Sequence, residues 1–182
     1  PLTEDTPKAL IEVDSTPLFV MLLLLAMAAV QFVHYYAKMP GVLATHFGPS
    51  GQPDAWTDKQ SFFVIYGLIE VVIVAVAFLI SHFAARIPTG ALNIPNKDYW
   101  LAPDRKSESL RFVWSQILWL EAATLGFLVV VSETVFRTNL MPGLPLLNVG
   151  DILLILVAFV VVTGWISARI LLRFRAPDRQ RD

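Results

Sequence analysis

Four long apolar stretches dominate the chain, and polar, turn-rich passages separate them. A helix that crosses the roughly 30 Å hydrocarbon core of a bilayer needs about 20 apolar residues at about 1.5 Å rise per residue. The pattern therefore predicts spanning helices at about 17–38, 62–83, 110–133 and 150–172. Membrane strands are disfavoured, because none of the four stretches alternates apolar and polar residues as a β-barrel strand does.

Composition agrees with an integral membrane protein. The 182 residues are 55% hydrophobic and only 16% charged, and the mean hydropathy is +0.60. Water-soluble domains rarely have this balance. All four predicted spans are helices, so the predicted fold class is all-α. The spans also leave few residues for a separate soluble unit. We expect one membrane domain over residues 1–182, a four-helix bundle with a structured outer loop between helices 1 and 2.

The distribution of Lys and Arg predicts the topology. Four spans place both termini on the same side as the connection between spans 2 and 3, and that side holds 11 of the 14 Lys and Arg residues. The other side holds Lys38, Lys59 and Arg137. Because cytoplasmic loops are enriched in these residues, we expect a multi-pass membrane protein with both termini in the cytoplasm. The absence of cysteine excludes disulfide and thiolate chemistry.

The outer loop contains the passage ATHFGPSGQPDAWTDKQ, residues 44–60. Its Gly and Pro residues predict turns, and the preceding VLATHF predicts an extended segment. One interpretation is a local cap, in which Asp54 closes a turn, Lys59 pairs with a carboxylate and Trp56 lies in the membrane interface. The other is a recognition surface, with His46 as a ligand or proton carrier. The sequence leaves both interpretations open.

The same loop resembles a known family. The pattern P…THF…SG.PD.W..K is formed by Pro40, Thr45, His46, Phe47, Ser50, Gly51, Pro53, Asp54, Trp56 and Lys59. It resembles the signature of a bacterial membrane domain, domain of unknown function 1648, that also forms the N-terminal part of SdpI-type immunity proteins. The resemblance covers roughly residues 20–80. The additional C-terminal helices of SdpI-type proteins are not evident here, so the resemblance implies architecture more than activity.

Two acidic residues, Glu70 and Glu121, fall inside predicted spans. A charge at mid-membrane depth costs at least ~2.5 kcal/mol, so such a group is neutralised, paired or functional. Their positions predict depths within about 5 Å of each other. Three further polar residues lie at neighbouring levels, namely Gln31, His34 and Tyr66. Together with the two carboxylates they predict a polar column that rises toward the outer loop. The column is either a hydrogen-bonded helix interface or a ligand, proton or cation site. Metal binding stays open, because no tight ligand spacing is present.

The connection between spans 2 and 3 combines basic and aromatic residues, namely Lys97, Trp100, Arg105 and Lys106. Basic residues near anionic lipid contribute about 1 kcal/mol each, and Trp anchors a segment at the headgroup level. We therefore expect this inner face to contact lipid or a partner protein.

No phosphate-binding glycine loop, nucleophile elbow, metalloprotease motif or dinucleotide fingerprint occurs. The sequence therefore predicts a non-enzyme without a cofactor, and a pI near 6.4 argues against nucleic-acid binding. Three hypotheses remain. The protein senses or binds an extracytoplasmic ligand through the 40–60 loop and the polar column, or it is an accessory subunit of a larger membrane complex. The third, a small proton- or cation-coupled transporter, is disfavoured because no inverted repeat is visible.

Overall fold

The computed structural model describes residues 14–83, 86, 90 and 92–175. In chain order its elements are α1 (Thr16–Tyr36), β1 (Val42–Phe47), β2 (Pro53–Asp58), α2 (Lys59–Phe83), α3 (Lys97–Trp100), α4 (Lys106–Asn139) and α5 (Val149–Arg173). Helices α1, α2, α4 and α5 are long and apolar enough to cross a membrane. The predicted all-α membrane architecture is confirmed, with one two-stranded sheet added. Three of the 11 Lys and Arg residues counted on the side of the termini lie outside the described residues, within 1–13 and 176–182. They are Lys8, Arg179 and Arg181.

Helices α1, α2 and α4 form the core of the bundle, because each packs against the other two. The β1–β2 hairpin lies over one end of these helices, called here the hairpin end. An aromatic cluster fills the core below it, in which Phe63 stacks on Phe136 with ring centroids 5.3 Å apart. Burial of such rings stabilises the packing and fixes the helix ends on which the hairpin rests.

Helix α4 is longer than the sequence predicted. It runs to Asn139, past the expected end near residue 133. The polar side chains of this last stretch are matched within the fold, because Arg137 Nε donates to Glu133 Oε1 at 2.6 Å. A neutralised pair four residues apart is compatible with a continuing helix. The extension carries Asn139 to the hairpin.

Helix α5 stands outside the core. It packs chiefly on the outer face of α4, and Ile166 is the one residue of α5 that is buried. The bundle is therefore a three-helix core with a fourth helix attached to one side. Asn148 is the N-cap of α5, and its Oδ1 accepts a hydrogen bond from the Gly150 amide at 3.0 Å.

The opposite end of the bundle is closed by the short helix α3. Asn96 precedes α3 in the left-handed conformation, which Asn tolerates better than most residues. Its Nδ2 donates to the Phe174 carbonyl at 2.8 Å. Trp100 Nε1 donates to the Arg175 carbonyl at 3.1 Å. The connection before α4 thus satisfies carbonyl groups that the end of α5 leaves open.

Candidate functional site

The extended VLATHF segment predicted from the sequence is strand β1, which pairs with β2 in antiparallel register. The register shifts twice, between Ala44 and His46 and again between His46 and Phe47. Such bulges redirect side chains and are common near functional sites. Here they flank His46 and its cross-strand neighbour Asp54.

His46 and Asp54 form a close contact between Nδ1 and Oδ1. Both side chains face outward, since they are 71% and 53% exposed. A polar contact this exposed contributes little to folding stability. The side chains of His46 and Asp54 are therefore available to a partner in solution. Trp56 on β2 is 49% exposed and extends the same surface with a large aromatic ring.

The edge of the hairpin is fixed to α4 by one amide side chain. Asn139 Oδ1 accepts from the Ala44 amide at 2.8 Å, and Asn139 Nδ2 donates to the Ala44 carbonyl at 3.0 Å. Ala44 is fully buried, so water does not replace these bonds. The Asn139 side chain thus bonds the Ala44 amide and carbonyl in the way that a neighbouring strand would.

The tip of the hairpin is fixed to the connection between α4 and α5. Gly51 adopts φ +78, and its carbonyl accepts from the Leu147 amide at 2.9 Å. A Cβ at this position would lie 2.2 Å from the Leu147 carbonyl oxygen. Only glycine fits both the conformation and the close approach. Edge and tip together hold the hairpin in one position.

Below the hairpin, a hydrogen-bond network joins α1 to α4. Gln31 Nε2 donates to Glu133 Oε2 at 2.9 Å, and the Tyr35 hydroxyl donates to Glu133 Oε1 at 2.7 Å. Gln31 Nε2 also lies 3.3 Å from the Val129 carbonyl. With Arg137 on the same carboxylate, Glu133 accepts from three side chains. This network is the polar centre of the α1–α4 interface.

The family comparison bears on this end of the molecule. Residues 22–69 match the family model of the domain of unknown function DUF1648. The match confirms the domain suspected from the loop pattern. It takes in most of α1, the whole hairpin and the first part of α2. No curated protein and no solved structure matches the chain.

The DUF1648 segment contains most of the predicted site residues but not their partners on α4. Gln31 and His46 lie within it, whereas Glu133 and Asn139 lie outside. Glu133 and Asn139 are not among the site residues predicted from the sequence. Measured from the midpoints of the predicted spans, Glu133 lies roughly 12 Å further out than Gln31 at about 1.5 Å per residue. Depth estimated from the sequence therefore gave no signal for their contact. Nothing in the sequence marks Asn139, because its role depends on where the hairpin docks.

The predicted polar column is not a connected network. Within residues 14–83 and 92–175, no side-chain hydrogen bond joins two of its members. Gln31 binds Glu133 instead, and His34 Nε2 lies 2.8 Å from Lys38 Nζ, just beyond the end of the same helix. Depth along the axis was estimated from residue number, but partners also depend on helix rotation, which the sequence does not give.

Glu70 lies on the core-facing side of α2 and is 2% exposed. Tyr66, one turn earlier, stacks on Phe62 with ring centroids 4.5 Å apart, and Val74 follows one turn later in the central apolar cluster. Glu70 Oε1 is buried without a hydrogen-bond partner among the described residues. A carboxyl group in these surroundings is accommodated most easily when protonated.

Glu121 on α4 is half-buried, and its Oε2 likewise has no partner in the described part of the chain. Metal binding is also limited by geometry. Across residues 14–83 and 92–175, no three His, Asp or Glu side chains gather closely enough to hold a metal ion. The structure therefore offers isolated carboxyl groups and paired ones, without a ligand cluster.

Lys59 and Asp58 lie where the hairpin joins α2. Lys59 Nζ stands 4.8 Å from the centre of the Tyr36 ring, so it makes a cation–π contact in place of the expected carboxylate pair. Asp58 Oδ1 accepts from the Ser61 amide at 2.9 Å. That backbone hydrogen bond holds the pKa of Asp58 below its ordinary value. Asp58 thereby stabilises the first turn of α2.

At the opposite end, the four predicted inner-face residues have different surroundings. Trp100 is half-buried, and the Arg173 guanidinium lies 4.7 Å from its ring centre. Arg105 is also half-buried and stacks on the Tyr99 ring at 3.9 Å. Lys97 Nζ donates to a backbone carbonyl at 3.1 Å, and Lys106 is exposed. Lipid or partner contact stays a prediction for this face, and Trp100 and Arg105 also serve the fold itself.

Proposed function

We propose that the protein is a non-enzymatic bacterial inner-membrane protein that binds an extracytoplasmic ligand with its hairpin. One observation carries this proposal. The hairpin is fixed at its edge by Asn139 and at its tip by Leu147, yet it presents His46 and Asp54 to solvent. A surface held rigid by buried bonds loses little entropy on binding, and this favours recognition.

The exposed residues indicate the kind of contact. A His–Asp pair provides both a donor and an acceptor, and the adjacent Trp56 ring provides a flat apolar surface. Tyr and Trp beside polar groups are characteristic of recognition surfaces in proteins. A ligand with both a polar group and an apolar segment fits this combination.

The proposal requires the hairpin to face away from the cytoplasm. Since the chain has no cysteine, single substitutions Gln52→Cys in the turn and Lys106→Cys at the opposite end report sidedness directly. In intact cells, a membrane-impermeant maleimide should label Gln52→Cys, and Lys106→Cys only after lysis. The reverse result would place the hairpin in the cytoplasm and reject the proposal.

Binding is tested by a photo-reactive phenylalanine analogue incorporated at position 56. In intact cells it should give a discrete adduct that disappears when His46→Ala is added. A variant with the same analogue at position 161, on the outward face of α5, is the matched control. Absence of an adduct at position 56, or an adduct unaffected by His46→Ala, would contradict recognition through this surface.

A second candidate function is an accessory subunit of a membrane complex. It is favoured by α5, on which Ile166 alone is buried while Val161 and Trp165 are 64% and 61% exposed. A stoichiometric adduct from position 161 to one membrane protein, without any adduct from position 56, would support this candidate over the first.

A further inference from the structure

Helices α4 and α5 enclose a cleft made of two adjoining cavities. The cavity at the hairpin end has a volume of about 530 Å³, and the deeper one about 350 Å³. They share three lining residues, Val130, Leu154 and Ile155. The two spaces therefore form one continuous cleft. No hairpin residue lines it, and it shares Glu133 and Arg137 with the α1–α4 network.

The mouth of the cleft is polar. Its polar lining residues are Glu133, Thr134, Arg137, Thr138, Asn148 and Asp151. Glu133 and Arg137 pair with each other, and the Arg137 side chain stays 71% exposed. Asp151 is exposed and has no ion-pair partner among the described residues. The mouth thus holds two carboxylates and one guanidinium, with the charge of Asp151 unmatched.

The deeper part of the cleft is apolar. It is lined by small residues on both helices, among them Ala123, Gly126 and Ala158, and by the rings of Phe127 and Phe159, whose centroids are 4.6 Å apart. The small side chains keep the two helices from filling the space between them. No charged residue lines this part.

The dimensions match one leaflet of a bilayer. Ten residues of α4 separate Glu133 at the mouth from Ala123 at the deepest point. At about 1.5 Å per residue this is about 15 Å, half of the roughly 30 Å hydrocarbon core. The polar part thus lies where headgroups lie, and the apolar part lies beside acyl chains.

We propose that the α4–α5 cleft binds one phospholipid with a zwitterionic primary-amine head group, phosphatidylethanolamine. The ammonium group lies beside Asp151, the phosphate beside Arg137, and an acyl chain follows the small residues of the deeper cavity. An anionic lipid such as phosphatidylglycerol lacks the ammonium group and adds negative charge next to Asp151 and Glu133, which disfavours it.

Native mass spectrometry of the full chain, titrated with phosphatidylethanolamine or phosphatidylglycerol, tests the site. We expect phosphatidylethanolamine to be retained about tenfold better, the factor that one charge-assisted hydrogen bond supplies. Asp151→Asn should bring the two lipids close to equal retention. Equal retention by the unsubstituted protein, or an unchanged preference in Asp151→Asn, would overturn the proposal.

A steric pair of variants tests the cleft itself. Ala158→Phe places a ring in the apolar cavity, whereas Val157→Phe places the same ring on the outward face of α5, because Val157 is 58% exposed and does not line the cleft. Only Ala158→Phe should lose the bound phosphatidylethanolamine. Equal retention in both variants would show that the lipid binds elsewhere. If Ala158→Phe does not fold, Asp151→Asn decides alone, since its side chain lies at an exposed helix start.

Discussion

The edge of the hairpin is held to α4 by one amide side chain, and Asn139→Leu tests this directly. Leucine is similar in size to asparagine but has no hydrogen-bonding group, so the change removes the bonds to the Ala44 amide and carbonyl. Ala44 is fully buried. The variant therefore leaves one donor and one acceptor without partners in an environment that water does not enter.

The expected magnitude follows from those two groups. An unsatisfied buried polar group costs about 1–3 kcal/mol, so the pair costs about 2–6 kcal/mol if nothing relaxes. Because the hairpin lies at the bundle surface and can lift to admit water, we expect the lower end, about 2–3 kcal/mol. This corresponds to a roughly 30- to 150-fold increase in the population of the undocked hairpin.

Amide hydrogen exchange of the protein in nanodiscs measures this population. The amides of β1, and that of Ala44 above all, should exchange roughly 30- to 150-fold faster in Asn139→Leu, while those of the central α4 segment stay protected. Asn148→Ala is the control, since it removes one exposed side-chain hydrogen bond at the start of α5, away from the hairpin edge. Unchanged exchange of β1 in Asn139→Leu would refute the claim that this side chain holds the hairpin.

Three further variants test the hairpin end. Gly51→Ala should lower the midpoint of thermal unfolding and cost more than about 1 kcal/mol, because residue 51 has φ +78 and its Cβ would lie 2.2 Å from a carbonyl oxygen. Gly41→Ala is the control and should leave the midpoint unchanged, since a Cβ there meets nothing within 4 Å. Equal midpoints in the two variants would contradict the packing at Gly51. Tyr35→Phe should cost about 1 kcal/mol in the same assay, by loss of the hydrogen bond to the partly exposed carboxylate of Glu133. That loss should vanish in a Glu133→Leu background, which offers no acceptor, if the hydrogen bond is its source. Because the pKa of Asp58 is lowered in the folded protein, its hydrogen bond to the Ser61 amide stabilises the fold fully above the ordinary pKa of 3.8, and this stabilisation is lost as the pH falls through the lower folded pKa. The free energy of unfolding should therefore depend less on pH across this acidic range in Asp58→Asn. An identical pH profile would argue against the cap.

The features predicted correctly from the sequence are those set by local patterns. Four apolar runs gave the spanning helices, since only a helix satisfies its own backbone in lipid. The segment VLATHF gave β1, because β-branched and aromatic residues before a Gly- and Pro-rich turn favour an extended strand. The end of α4 was placed too early, because the apolar run stops near Glu133, whereas the helix continues past it to Asn139 with Arg137 paired to Glu133.

The features that sequence reasoning missed depend on rotation and docking. Residue number gives depth at about 1.5 Å per residue, but the face of a helix turns by about 100° with each residue. Residue number placed Gln31 near the level of Glu70, and only the packed structure shows that it binds Glu133. Hydropathy likewise could not distinguish α5 from the core helices, because lipid-facing and protein-facing surfaces are equally apolar in a membrane.

The position of the hairpin is a property of the whole chain rather than of the DUF1648 segment alone. A two-stranded hairpin is only marginally stable by itself, and the segment 22–69 supplies neither the amide that closes its edge nor the carboxylate that binds Gln31. Without α4, the Ala44 amide and carbonyl would lose their partners and the Gln31 amide would face lipid, at a cost of about 1–3 kcal/mol for each group. Penalties of that size are comparable to a large part of the stability of a small domain. The proposed recognition surface around His46 therefore depends on α4. If that surface binds a ligand, substitutions at Asn139 should affect binding, although this residue does not belong to the exposed surface.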